Sequence, residues 1–293
     1  QPGKRGKVDF PLSLLSDHTP ITLTAQVVHG KQPGPTLLIN AAVHGDEVNG
    51  VEIIRRILRH SLVSRLSGTL LAVPIVNVYG FLTNTRYLPD RRDLNRSFPG
   101  SPTGSLAGRL AHLYMNKIVV KATHGIDLHT AAIHRSNFPQ IRCDLSHPEA
   151  RQMAMNFGVP VVLNAALRDG SLRKAAIEAG VPFIVYEAGE ALRFDEVAIR
   201  AGVKGIIRVM GELGMIHQRR RDEAPTEPTI SRNSVWVRAP EGGIFRATTK
   251  LGARVYLGEQ LGTIASPFGD SEFPIVCPTD GIVIGRSNLP NVN

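Results

Sequence analysis

Along the first two thirds of the chain, apolar runs of strand length alternate with stretches of helical spacing. Residues 21–29 predict a strand, followed by a Gly/Pro loop through Pro35. Residues 36–43 are apolar and rich in branched side chains, as in a buried strand, and Val51, Ile54, Ile57 and Leu58 then fall on one helical stripe. Residues 69–76 predict a second buried strand, irregular or near an end because of Pro74. A long polar loop, 77–103, comes next, and loops of that length in compact domains usually carry function. Residues 105–119 predict a helix with Leu106, Leu110, Leu113 and Ile118 inward. Residues 125–130 predict a short strand with Ile126 and Leu128 on one face and Asp127 and His129 on the other. A helix from Pro148 to about Phe157, a strand over 159–163, a helix over 171–179 and a strand over 182–186 that ends at Glu187 complete the alternation. Asp195 then caps a long helix reaching about Leu213. The fold class is α/β, with a mainly parallel sheet covered by helices on both faces.

The pattern changes after Gly214. Residues 218–228 are charged and proline-bearing, as a linker would be. Beyond them the helical period disappears, and short β-like runs at 234–237, 243–247, 254–257, 260–264 and 281–284 are separated by Gly/Pro turns. The expected organisation is a catalytic domain over 1–225 and a small all-β, barrel-like domain over 226–293, with a missing closing strand left open.

Three strand ends carry the chemistry. Open α/β sheets place ligands at the carboxyl ends of their strands. His44-Gly45-Asp46-Glu47 lies between the strand and helix of the first unit, with Asp46 expected as N-cap and Gly45 expected to permit the tight turn. An imidazole and a carboxylate at this spacing chelate one zinc ion if a third ligand arrives from elsewhere, and His129 is the strongest candidate. Asp127 would support it from behind. Glu187 is the candidate proton shuttle, with Glu190 as rival. In the polar loop, Asn95 and Arg96 suit the grip of a substrate carboxylate, and Arg86 suits an oxyanion.

Composition narrows the options. Of 293 residues 42% are hydrophobic, enough for a sizeable core, and no apolar run approaches the roughly 20 residues of a membrane span. Two cysteines, Cys143 and Cys277, make no disulfide framework, so any metal here relies on His and carboxylate, and a cytoplasmic location is the default expectation. The net charge of +9 is scattered, with clusters at Arg91-Arg92 and Arg219-Arg220-Arg221. No basic stripe with interleaved aromatics points to nucleic acid, so an anionic small molecule is the expected partner. Homo-oligomerisation is left open.

His44-Gly45-Asp46-Glu47, Asp93-Leu94-Asn95-Arg96-Ser97-Phe98-Pro99-Gly100, Asp127-Leu128-His129 and Glu187-Ala188-Gly189 stand in the order seen in the succinylglutamate desuccinylase/aspartoacylase family, which the chain resembles over about residues 20 to 290. The resemblance implies a zinc carboxypeptidase-like α/β core with a C-terminal β domain. It implies one zinc ion held by His44, Glu47 and His129, Glu187 as general base and acid, and Asn95 and Arg96 as carboxylate anchor. Arg86 is implied as the carbonyl-polarising arginine; Pro89-Asp90-Arg91-Arg92 intervenes before the motif, so Arg92 is a rival. The implied activity is zinc-dependent hydrolysis of the amide in an N-acyl amino acid. A peptide-trimming metallocarboxypeptidase and a metal-free anion-binding relative are the alternatives. The C-terminal part looks like a biotinyl/lipoyl-type barrel fragment, but no Lys occupies an acceptor-like hairpin tip.

Overall fold

The computed structural model describes residues 1–217 and 227–293. The expected linker, the 225/226 boundary and the Arg219–Arg221 cluster fall outside or at the edge of these residues. A mixed sheet organises the molecule. It is built from β1 (Arg5–Leu14), β2 (Pro20–His29), β3 (Gln32–Ala41), β4 (Ser67–Val73), β5 (His124–Ala131), β6 (Arg135–Cys143), β7 (Val161–Asn164), β8 (Phe183–Glu190) and β9 (Thr229–Ser231), in the order β1-β2-β4-β3-β5-β8-β6-β7-β9. The central run β4-β3-β5-β8 is parallel. On one side β2 joins β4 antiparallel, and on the other β6 joins β8 antiparallel.

Helices α1 (Asn49–Arg59), α2 (Val78–Leu82), α3 (Leu106–Lys117), α4 (Pro148–Phe157), α5 (Leu172–Glu178) and α6 (Glu196–Glu212) cover the sheet. Strand alternation divides the core between its two faces. Ile39, Ile126 and Ile184 pack with Ile53, Ile57, Phe157 and Ile206 of α1, α4 and α6. Leu38 and Phe183 pack with Leu110, Tyr114 and Leu172 of α3 and α5. Each such fully buried aliphatic or aromatic side chain contributes about 1.5–3 kcal/mol. Asp195 caps α6 through bonds from Val197 N and Ala198 N, as the sequence predicts, and Ser105 caps α3.

Some expectations change. Helix α1 has Val48, not Asp46, at its N-cap, and no side chain caps it, because the Glu47 N to His44 O turn delays the helix. The left-handed residue of this turn is Ala42 (φ 50°), not Gly45. Gly45 is needed for proximity: a Cβ there would lie 2.0 Å from the Gly80 backbone carbon. The 77–103 loop contains α2 and a 3-10 turn, Leu94–Arg96. Residues 234–237 form no strand.

The C-terminal segment forms β10 (Gly243–Ala247), β11 (Arg254–Val255), β12 (Gln260–Ala265), β13 (Glu272–Val276), β14 (Gly281–Ile282), β15 (Gly285–Ser287) and β16 (Asn291–Val292). A four-stranded sheet runs β13-β12-β10-β16, and β11 pairs with β14. Two pieces belong to the main sheet instead: β9 extends β7, and β15 pairs with β6.

Gly50 shows how tightly α1 lies on the strands that carry the site. A Cβ there would come within 2.6 Å of Ala41 Cβ and 2.7 Å of Leu128 Cβ, neither of which can swing aside. In an exposed helix interior Gly→Ala stabilises by about 1 kcal/mol. Here Gly50→Ala is expected to destabilise by about 1–3 kcal/mol through overpacking, measured as a lowered denaturation midpoint with unchanged slope.

Candidate active site

The site forms where β3, β5 and β8 end. Parallel register sets Asn40 beside Asp127 and His129 beside Glu187. Register partners share a sheet face, and so do residues two apart, so Asn40, Asp127, His129 and Glu187 all emerge on the α3/α5 side. The turn after β3 supplies His44 and Glu47, and the 77–103 segment folds over them from the edge.

Glu47 is the hub. Its Oε1 lies 2.7 Å from His44 Nδ1 and its Oε2 lies 2.7 Å from His129 Nδ1. Thr130 N donates to Oε2 at 3.0 Å, and Arg86 Nη1 donates to Oε1 at 3.2 Å. The outer nitrogens of both imidazoles meet carboxylates: His44 Nε2 lies 3.1 Å from Asp93 Oδ1, and His129 Nε2 lies 2.7 Å from Asp127 Oδ2. The ring centroids are 4.9 Å apart, edge to face. His44, Glu47 and His129 are buried, and one ligand atom from each lies within 4.8 Å of the others.

Burial and charge compete here. Burial alone would raise the Glu47 carboxyl, but the two imidazoles hold it well below the usual carboxylate range. Burial would likewise raise Asp93, yet His44 and Arg86 hold it low. For the imidazoles burial acts downward, and the carboxylates around them overcome it: both are raised, His129 strongly. Asp46 has the opposite fate. Burial, then Glu47, push its carboxyl up, and its Oδ1 has no partner among the described residues.

The remaining candidates surround this hub. Arg86 spans Glu47 and Asp93, with Nη2 donating to Asp93 Oδ2 at 3.0 Å. Its rival Arg92 is 64% exposed and, among the described residues, its guanidinium pairs with Asp90 alone, at 4.0 Å, so the geometry favours Arg86. Asn95 accepts from Leu172 N at the start of α5 through its Oδ1. Arg96 bonds the carbonyl of Asn95 and has no carboxylate within ion-pair distance among the described residues; burial lowers its guanidinium from the ordinary value. Glu187 accepts from Asn137 Nδ2 at 2.7 Å, and its other oxygen lies 3.3 Å from Arg142 Nε. Its rival Glu190 is occupied with His134 N and Asn288 Nδ2.

Residues absent from the sequence reading therefore matter. Asp93 was legible as part of its motif, but its double contact to His44 and Arg86 was not. Asn137 and Arg142 lie on β6, a strand whose Pro139 and mixed polarity hide its pattern. Arg173, 8% exposed, gives Nη2 to the Ala166 carbonyl while Nη1 finds no partner among the described residues. Nothing in its short helical context marks it.

Residues 33–213 match the model of the succinylglutamate desuccinylase/aspartoacylase catalytic domain. A curated relative, N-alpha-acetyl-L-2,4-diaminobutyric acid deacetylase of Halomonas elongata, is 32% identical over 98 residues, which is 33% of this chain and 29% of the relative. Among solved structures, a succinylglutamate desuccinylase/aspartoacylase from Rhodobacter sphaeroides superposes with a TM-score of 0.85 at 27% identity, covering 99% of this chain and 92% of the other. The product-bound ectoine utilization protein EutE (DoeB) from Ruegeria pomeroyi has the same fold, with a TM-score of 0.87 at 21% identity and coverage of 99% and 92%. Among the described residues no helix is long and apolar enough to cross a membrane. With its motifs assembled at one sheet edge and most of its length matched, the chain belongs to the succinylglutamate desuccinylase/aspartoacylase family.

Proposed function

We propose that this chain is a zinc-dependent amidohydrolase that removes the acyl group from an N-acyl amino acid or a similar small amide bearing a carboxylate. One observation carries the proposal: His44 and Glu47 meet His129, which is 82 residues beyond Glu47 in the chain, in one buried cluster. Their chemistry fits a divalent cation. Two imidazole nitrogens and a carboxylate make a catalytic zinc set that keeps a position open. Each imidazole is backed by a carboxylate, Asp93 or Asp127, as metal-ligating histidines require. Glu47 and Asp93 face the Arg86 guanidinium and Asp127 faces His129; with the imidazoles neutral as ligands, three carboxylates against one guanidinium leave two negative charges for a divalent cation to balance.

When bound, zinc supplies Lewis acidity, which polarises a carbonyl and acidifies water. The chain's own residues do the rest. Glu187 takes the proton of the attacking water and returns it to the leaving amine. Asn137 and Arg142 engage its two oxygens, so the carboxylate is oriented before substrate arrives. Arg86 donates to the oxyanion that develops at the attacked carbonyl. Arg96, without a carboxylate partner, and the Asn95 amide hold the substrate's carboxylate. The Halomonas relative, named for deacetylating an N-acetyl amino acid, supports this substrate class. In this reading residues 1–225 form the hydrolase domain, and 226–293 form a small β domain that reaches β6 through β15 and shapes the pocket. Two free cysteines suit a cytoplasmic setting.

Four outcomes are expected. Glu187→Ala lowers kcat by about 10²–10⁴ and leaves the zinc content unchanged; zinc loss in that variant removes the role assigned to Glu187. Arg96→Ala lowers kcat/KM by about 10–150-fold on N-acyl amino acids, as expected for a lost hydrogen bond to a charged group, and has little effect on substrates lacking the carboxylate. A panel of N-acyl amino acids assayed beside C-terminally free and blocked peptides identifies the class; preference for peptides would favour the carboxypeptidase alternative. The fourth concerns pH. In metal-free protein the raised imidazoles stabilise the fold fully below their unfolded value of 6.5, and this is lost as pH rises through the raised folded values. Zinc displaces those protons. Chelated protein should therefore lose thermal stability as pH rises above 6.5 and through the raised imidazole values, while zinc-loaded protein loses less, as read from paired unfolding curves.

A further inference from the structure

Asn40 is the lone polar side chain in the apolar run Thr-Leu-Leu-Ile-Asn-Ala-Ala-Val that makes up the end of β3 and the turn after it, apart from the opening threonine. It is fully buried, in a central parallel strand. Asparagine is disfavoured in strands, and burying an amide costs free energy unless its hydrogen bonds are made. A locally unfavourable choice at such a place is a mark of function.

Its contacts indicate which function. Asn40 Nδ2 donates to Asp127 Oδ1 at 2.6 Å, Asp127 Oδ2 lies 2.7 Å from His129 Nε2, and His129 Nδ1 lies 2.7 Å from Glu47 Oε2. Asn40, Asp127 and His129 are 0%, 1% and 5% exposed. Both Asp127 oxygens are thereby assigned, one to Asn40 and one to His129. Without Asn40, the Asp127 carboxylate would keep one bonded oxygen and one bare oxygen in a buried site, and no other hydrogen bond among the described residues would fix its rotation.

We propose that Asn40 is a positioning residue for the metal centre: by clamping Asp127 it keeps the His129 proton on Nε2 and presents Nδ1 as the ligand atom. The inference rests on the proposed zinc-binding reading and deepens it. Asn40 touches neither metal nor substrate; it acts through two intermediaries. Its register pairing with Asp127 makes the device intrinsic to the sheet. Slippage of β3 against β5 by one residue would turn the amide to the other face.

The test compares wild-type protein with Asn40→Leu, close in size but without a donor, and with Asn40→Ala, which removes the donor without adding bulk. Zinc affinity is measured by competition with a chromophoric chelator, and ring tautomers by long-range ¹H–¹⁵N spectra of histidine-labelled, zinc-loaded protein. Wild type is expected to show His129 protonated at Nε2 and ligated through Nδ1. The variants are expected to bind zinc about 10–100-fold more weakly, to lose or shift the Nε2–H resonance, and to lower kcat with KM within about twofold. A folded variant with wild-type zinc affinity and an unchanged histidine spectrum overturns the Asn40 assignment and leaves the hydrolase reading intact. Ligation through Nε2 in wild type overturns the assignment too, whether or not either variant folds. Failure of the wild-type protein to bind zinc overturns both.

Discussion

A single buried carboxylate holds the functional region together. Glu47 receives two imidazoles, a guanidinium and a backbone N–H from three separate segments. An isolated carboxylate at 2% exposure would be costly enough to force protonation or unfolding. Its partners are therefore not ornaments on a finished fold. The turn after β3, the end of β5 and the 77–103 segment must all be in place before that charge is tolerable. The same logic runs outward: Asp93 and Asp127 are acceptable because each closes a contact to an imidazole, and Asp127 is further held by Asn40.

Close packing turns this electrostatic requirement into geometry. Gly50 lets α1 approach Ala41 and Leu128, and Gly45 lets the ligand turn approach Gly80. Gly125 leaves room for the Phe183 ring on the neighbouring strand. Each is a place where one added methyl group would separate elements that carry polar groups of the site. The parallel register of β3, β5 and β8 then fixes which side chains stand together. Because successive side chains alternate between faces, a shift of one residue would send His129 and Glu187 into the apolar layer with Ile126 and Ile184.

Much of this arrangement is legible in the sequence. The apolar runs of β3, β4, β5 and β8 end in polar motifs, and strand ends in α/β sheets are where ligands gather. That rule and the family motifs bring His44, Glu47, His129, Glu187, Arg86, Asn95 and Arg96 to one region. What the sequence hides has physical reasons. Strand β1 is mostly exposed and contains Pro11, and its inward side chains Phe10 and Leu12 are only partly buried against the core, so its signal is weak. Strand β6 has an irregular register around Pro139, which erases its alternation. Asn137 and Arg142 were lost with it, and so was the environment of Glu187. Asp46 reads as a helix cap because Asp before an apolar stripe usually is one. Here the turn from His44 to Glu47 takes the chain past that position before the helix starts.

Charge is layered around the centre. Inside lie the carboxylates of Glu47, Asp93 and Asp127; around them stand Arg86, Arg96, Arg142 and Arg173. Arg86 is committed to Glu47 and Asp93, and Arg142 faces Glu187. Arg96 and the Nη1 end of Arg173 have no such partner among the described residues, and burial lowers both guanidinium groups from their ordinary value. Partly desolvated cations without a fixed counter-charge favour an anion that arrives with the ligand. A negative interior suited to a metal ion and a positive surround suited to a carboxylate impose a direction on any substrate that satisfies both. In the proposed reading, its amide carbonyl would lie toward the two imidazoles and its acidic end toward the arginines. That polarity, more than the identity of any single group, is what distinguishes a site for N-acyl amino acids from one for neutral amides.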